Sequence, residues 1–168
     1  SEDGQARYRP TRCIGLYVFL ENTEEVVPFF ASSVILATGG VGNIFLHTSN
    51  PTGAVGDGVA MAYRAGAEVV NCEYMQFHPT VLYHRDVKRF LISEALRGEG
   101  ARLMNRKGEY FMERYQPSTR DLAPRDQVSR AIYLEMEATD SSYMFLDTST
   151  LKVDPADRFP NIFSHCME

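Results

Sequence analysis

The chain has 168 residues, 44% of them hydrophobic and 23% charged, with a formal net charge of -5. That length allows one domain, or one domain with part of another. The acidic balance and scattered Lys and Arg argue against nucleic acid as a partner, and no apolar stretch approaches the roughly 18 residues of a membrane-spanning helix.

Ser1 to Gln5 carry no apolar signal-peptide core and no Met, which fits a processed or engineered start. Cys13, Cys72 and Cys166 are far apart and form no CxxC pair. Neither a disulfide framework nor a metal site is expected from them, and a reducing, cytoplasmic setting is the default.

Residues 12–20 read as a strand, Glu21 to Glu24 as a polar turn, and Val26 to Phe30 as the returning strand. Ser33 to Thr38 is a short apolar run ending in Gly39-Gly40, the pattern of a strand buried on both faces in an α/β sheet. Asp57 opens a helix as its expected N-cap, with Val59, Ala62 and Tyr63 at helical spacing and Gly66 just past the end. Residues 67–73 read as a further strand. Ala101 to Met104 and Glu109 to Met112 flank a Gly-containing turn and read as a hairpin. Pro124 begins a helix running to about Ala138, with Asp126 in its first turn. Tyr143 to Asp147 reads as a strand, and residues 154–168 as a turn and a short helix. The character changes near Cys72. The first part has the pattern of closing strands and one helix of a nucleotide-binding domain, the second that of a smaller α+β domain.

Several segments carry chemistry. Two glycines after the 33–38 strand let backbone approach a phosphate or ring closely, though Gly-Gly there also makes a simple tight turn. Asp57, flanked by Gly56 and Gly58, either caps its helix or faces a cofactor. His78 precedes a proline, which holds it extended and fixes where the imidazole points; it is a structural histidine or a ligand-binding one. Glu94 and Arg97 are three apart and pair on one helical turn, as a surface ion pair or as a partly buried proton relay. Arg125 sits in the first turn of its helix, where a cation opposes the macrodipole. Either Asp126 neutralises it or it points at an anionic substrate. An arginine transfers protons only with a base close by and water excluded.

Taken together, Ala37-Thr38-Gly39-Gly40, Gly56-Asp57-Gly58-Val59-Ala60-Met61-Ala62, Gln76-Phe77-His78-Pro79-Thr80, Glu94-Ala95-Leu96-Arg97-Gly98-Glu99-Gly100, Phe111-Met112-Glu113-Arg114-Tyr115 and Arg125-Asp126 resemble the flavoprotein family of succinate dehydrogenases, fumarate reductases and L-aspartate oxidases. The order holds from about residue 33 to about residue 150. Val81-Leu82-Tyr83-His84 after the His-Pro-Thr, and Ala123-Pro124 before the Arg-Asp, lean toward the L-aspartate oxidase branch. Phe111 to Tyr115 and Val128 to Glu135 resemble succinate dehydrogenases equally well.

The resemblance implies an α+β capping domain of the fumarate reductase type, residues 72–168, preceded by closing strands and a helix of a Rossmann-like FAD-binding domain, residues 1–71. It implies FAD as cofactor and a small dicarboxylate (L-aspartate, succinate or fumarate) as substrate. In the L-aspartate oxidase branch the product is iminoaspartate for NAD synthesis. By resemblance, Arg125 transfers the proton, Glu94 and Arg97 relay it, His78 and Ser93 bind substrate, and Thr38, Gly39, Gly40 and Asp57 contact the flavin. Capping domains of this family close over the flavin and exclude water. The family's N-terminal GxGxxG fingerprint is absent here, so this piece is expected neither to hold FAD tightly nor to turn over without the rest of its polypeptide. A non-catalytic dicarboxylate-binding module is the alternative of another class. The joint presence of His78, Glu94, Arg97 and Arg125 speaks against it, because mere binding needs no relay.

Overall fold

The computed structural model describes residues 12–84 and 89–167. Ser1 to Gln5 and Glu168, both touched on above, lie outside them. The chain forms two compact units, residues 1–44 with 52–70 and residues 45–51 with 71–168.

In the first unit, β1 (Gly15–Leu20) and β2 (Glu25–Phe30) pair antiparallel, with Val18 opposite Val27 and Leu20 opposite Glu25. The apolar runs and polar turn predict this hairpin. The strand expected over Ser33 to Thr38 does not form among the described residues. The segment is extended but has no ladder partner, and Ile35 is 90% exposed. Apolar, β-prone residues still need a neighbouring strand to satisfy their backbone, and none stands beside them. Residues 67–73 form no strand either, for the same reason.

Helix α1 (Asp57–Arg64) starts one residue away from its expected cap. Gly56, in the left-handed region, occupies the N-cap, and Asp57 is the first helical residue. The carboxylate there favours the helix dipole without capping it. At the other end Gly66 (φ +90°) allows the reversal an L-residue resists, so its N–H reaches Tyr63 O and Ala67 N–H reaches Ala62 O, both at 3.0 Å.

The second unit holds the core. Leu103, Phe111, Met112, Ala123, Val128 and Ala131 are buried together, with Tyr115, Ile132, Met144 and Leu146 packed around them. Burying each large side chain of this set contributes about 1.5–3 kcal/mol. Helix α2 (Ala95–Gly98) leads into β3 (Arg102–Met104), which pairs antiparallel with β4 (Phe145–Asp147), Leu103 opposite Leu146. The expected hairpin around Asn105 to Gly108 is reduced to a single bridge, Met104 with Tyr110. Its second arm turns into helix α3 (Met112–Tyr115), with Phe111 and Met112 fully buried in the core. Helix α4 (Arg125–Thr139) follows its prediction closely, with Pro124 at the N-cap and Asp140 left-handed at the end. The tail makes α5 (Pro155–Arg158) and α6 (Pro160–Met167), where one short helix was expected. No helix of the described residues is long and apolar enough to cross a membrane.

Candidate active site

In the first unit the two glycine-bearing segments come together. Gly56 N–H donates to Gly40 O at 3.1 Å, and Asn43 N–H to Ala54 O at 3.0 Å, so the Thr38–Gly40 turn lies along the start of α1. Gly58 is the close-packed member. A Cβ there would lie 1.9 Å from Thr38 Oγ1 and 3.0 Å from Thr38 Cβ. At Gly39 and Gly40, by contrast, a Cβ would meet nothing within 4 Å. Asp57 is exposed at the helix start. The result is a bare backbone shelf with one carboxylate, and an added side chain at Gly39 or Gly40 would occupy the space in front of it. Such a shelf fits a flat, hydrogen-bonding group such as a flavin.

In the second unit the charged residues converge on Glu94. Arg125 Nε donates to Glu94 Oε2 at 2.8 Å, and Arg97 Nη2 stands 3.9 Å from the same oxygen. Arg125 Nη1 donates to Gln76 Oε1 at 3.2 Å. The carboxylate that neutralises Arg125 is therefore Glu94, and not the neighbouring Asp126, which is exposed and joins no ion pair in the described structure. The three charges differ in burial. The Arg97 side chain is fully buried, while those of Glu94 and Arg125 are 41% and 42% exposed. Arg97 Nη1 donates to the main-chain oxygen of Asp121, whereas Nε and Nη2 have no hydrogen-bond partner. Burial pushes the Arg97 guanidinium below its ordinary value, and the Glu94 and Asp121 carboxylates oppose that. The hydrogen bond from Arg125 holds Glu94 below the usual carboxylate range.

His78 is half-buried. Its Nδ1 lies 3.1 Å from Thr80 O and 3.3 Å from Thr80 N, so that ring nitrogen is taken up within the loop and Nε2 is left for a ligand. Thr80 is itself fixed by Oγ1 donating to Ile92 O at 2.8 Å and by Ile92 N–H donating to Thr80 O at 3.0 Å. Burial lowers the His78 pKa, the Thr80 backbone bond raises it, and the Arg125 and Arg97 charges lower it further. Ser93 is half-buried beside Glu94 and accepts from Ala95 N–H at 3.2 Å, which orients its hydroxyl at the start of α2.

The structure thus brings Thr38, Gly39, Gly40 and Asp57 together in one unit, and His78, Ser93, Glu94, Arg97 and Arg125 together in the other. Sequence reasoning gave no role to Gln76, Thr80 or Asp121. The first two lie in the His-Pro-Thr segment and carried a signal by position. Asp121 acts on Arg97 through a main-chain carbonyl 24 residues away, which no residue type announces. Ser129, one turn into α4, donates to Phe77 O at 3.2 Å and ties the helix that carries Arg125 to the segment that carries His78.

A family profile described as "FAD binding domain" matches residues 2–166. The chain belongs to that FAD binding domain family. Among sequences it is similar to the L-aspartate oxidase of Pseudomonas aeruginosa, 48% identical over 161 residues, which cover 94% of this chain and 29% of that protein. It is similar likewise to L-aspartate oxidase 1 of Ralstonia nicotianae, 48% identical over 160 residues, covering 94% and 30%. Among structures it resembles a quinol-fumarate reductase with menaquinol molecules, with a TM-score of 0.70 and 28% identity over 82% of this chain and 26% of that one. The flavoprotein resemblance drawn from the motifs therefore stands. The chain spans less than a third of the length of these relatives.

Proposed function

We propose that this chain is a central part of an FAD-dependent L-aspartate oxidase, with residues 1–71 a portion of its FAD-binding domain and residues 72–168 its capping domain. The observation that carries the reading is Glu94 Oε2 set between the guanidinium groups of Arg125 and Arg97. An arginine that transfers a proton needs a base within hydrogen-bond reach, and Glu94 is that base. Arg125 passes a proton to Glu94 as it accepts one from the substrate, and Arg97 stabilises the carboxylate that receives it. His78, through Nε2, and the hydroxyl of Ser93 hold a substrate carboxylate beside Arg125. Thr38, Gly39, Gly40 and Asp57 hold FAD, which when bound accepts the hydride. The identity of 48% to L-aspartate oxidases, against 28% to a fumarate reductase, supports aspartate over succinate as the substrate.

The test is to express the full-length enzyme with FAD and assay L-aspartate and succinate separately, with fumarate as acceptor. Oxidation of L-aspartate supports the reading. Turnover of succinate alone moves the protein to the succinate dehydrogenase and fumarate reductase branch, and binding of dicarboxylates with no turnover of either leaves a binding module.

A further inference from the structure

Arg97 is the buried member of the charged cluster, and its seat is built by one short segment. The 3-10 turn Arg120–Leu122 passes beneath it, and the Asp121 main-chain oxygen accepts from Arg97 Nη1. Asp121 is 6% exposed. Its Oδ1 accepts from Leu103 N–H of β3 at 2.7 Å, and its Oδ2 lies 3.7 Å from Arg102 Nε. The preceding residue is unusual. Arg120 has φ +49°, in the left-handed region that residues other than glycine disfavour. Strain of this kind persists where the surroundings over-determine it. Here Arg120 N–H donates to Gln116 O at 2.8 Å and its guanidinium lies 3.6 Å from Glu113 Oε1. The strained residue turns the chain so that the next carbonyl points inward at Arg97 while the next carboxylate locks onto β3.

We propose that Asp121 is the positioning residue of the arginine cluster: its carbonyl seats Arg97, and its carboxylate, which accepts from Leu103 N–H and faces Arg102, holds that carbonyl in place. The inference rests on the proton-relay reading of Arg125, Glu94 and Arg97. Held from the Asp121 side, Arg97 keeps Nη2 directed toward Glu94. Without the seat, Arg97 is free to swing and to compete with Arg125 for the same carboxylate oxygen. Asp121 touches no substrate and acts through Arg97 alone.

The experiment uses the full-length, FAD-loaded enzyme and compares wild type, Asp121→Asn, Arg97→Gln, the double variant and Arg125→Gln. An asparagine keeps the main-chain carbonyl but weakens what holds it, since a neutral acceptor replaces the charged one for Leu103 N–H and an amide NH₂ can no longer accept from Arg102. Asp121→Asn is expected to slow substrate-driven flavin reduction about 10- to 100-fold, within the range of a proton-transfer contribution. KM is expected to stay within about twofold and flavin content and thermal midpoint near wild type, and in the Arg97→Gln background the substitution is expected to add no further loss. An additive loss in both backgrounds, or a joint fall in flavin content and midpoint, overturns the proposal and leaves Asp121 a packing residue. Arg125→Gln reducing its flavin at the wild-type rate overturns the relay and this proposal with it; a defective Arg125→Gln beside an additive Asp121→Asn overturns the proposal alone. Should Asp121→Asn fail to fold, Arg97→Lys reads the same seat from the other side, since it keeps the charge and loses the fork. Loss equal to that of Arg97→Gln is the expected result, and a lysine enzyme at full rate overturns the proposal.

Discussion

Arg125 Nε and Glu94 Oε2 stand 2.8 Å apart across 31 residues of sequence. A cation in the first turn of a helix is opposed by the macrodipole, so its own helix does not favour Arg125 there. The carboxylate from the start of α2 offsets that opposition and gives the guanidinium a base. Arg125→Gln in the full-length enzyme should lower kcat by about 10²–10⁴-fold, the range for a removed acid–base group, while flavin content stays near one equivalent. Stopped-flow flavin bleaching with L-aspartate is the measurement. Unchanged bleaching would mean the proton leaves by another route.

Glu94→Gln tests the other half of the pair. Glu94 is held below the usual carboxylate range by the hydrogen bond from Arg125, so it is ionised throughout neutral pH. A group with a depressed folded pKa adds stability above its unfolded value, near 4.5, and loses it as pH falls through the folded value. The thermal midpoint of wild type should therefore fall on acidification below about pH 4.5 slightly more than that of Glu94→Gln. The difference is small because the side chain is 41% exposed. The kcat of the variant should be low from pH 6 to pH 9 without a new limb, since the missing carboxylate titrates outside that window.

His78 should bind substrate as a neutral donor. Burial, with the Arg125 and Arg97 charges, places its pKa below the ordinary 6.5. Nδ1 faces both Thr80 O at 3.1 Å and Thr80 N–H at 3.3 Å, and the tautomer that accepts from the N–H is the one that carries its hydrogen on Nε2 and can donate to a substrate carboxylate. KM for the dicarboxylate is expected to be flat from pH 7 to pH 9. His78→Gln, which keeps a neutral donor, should raise KM less than tenfold, and His78→Ala by more, each hydrogen bond to a charged group contributing about 1.5–3 kcal/mol. A KM that climbs steadily above pH 7 would show instead that the imidazolium binds.

Much of this was legible in the sequence, and the omissions share a cause. Helix α4 could be read from Pro124 near its first turn and Asp126 close behind because a helix satisfies its own backbone. The β1 and β2 hairpin was legible because its partner strand follows directly in sequence. Ser33 to Thr38 misled because a strand depends on a neighbour that local pattern does not reveal. In the same way His78, Glu94, Arg97 and Arg125 announced themselves as residue types, while Asp121 and Gln76 act through long-range contacts. Glu135 shows the same limit. Nothing in its residue type marks it on α4, yet it is 2% exposed.

Gly58→Ala is expected to loosen the flavin shelf. The added Cβ would lie 1.9 Å from Thr38 Oγ1, and rotating Thr38 does not help, because its own Cβ would remain at 3.0 Å. The start of α1 must move away from the Thr38–Gly40 turn, at a cost of about 1–3 kcal/mol for such overpacking. The full-length variant should purify with less flavin and regain it on added FAD. A full complement of flavin with an unchanged thermal midpoint would mean that the two segments separate without consequence.

Glu135 should be a sensitive polar residue for stability. Its carboxylate is buried beneath α3 and accepts from Asn105 Nδ2 at 2.8 Å, from Arg114 Nη2 at 2.7 and 2.8 Å, and from Tyr115 Oη at 3.0 Å. Burial raises its pKa, but the bonds from Asn105, Tyr115 and Arg114 outweigh it and hold the group ionised below the usual range. Glu135→Ala removes the acceptor for three donors at once and leaves Asn105, 1% exposed, without a partner for part of its amide. The expected loss is about 1–3 kcal/mol, that of a buried donor left unsatisfied; Arg114, 58% exposed, turns to water and adds little. Glu135→Gln should lose less, because an amide oxygen still accepts from Arg114 or Tyr115. The carboxylate's contribution is present above its unfolded value, near 4.5, and disappears as pH falls through the depressed folded value. Wild type and Glu135→Gln should therefore converge in thermal midpoint on acidification, whereas a constant gap from pH 3 to pH 7 would show that the cost is one of packing and not of charge.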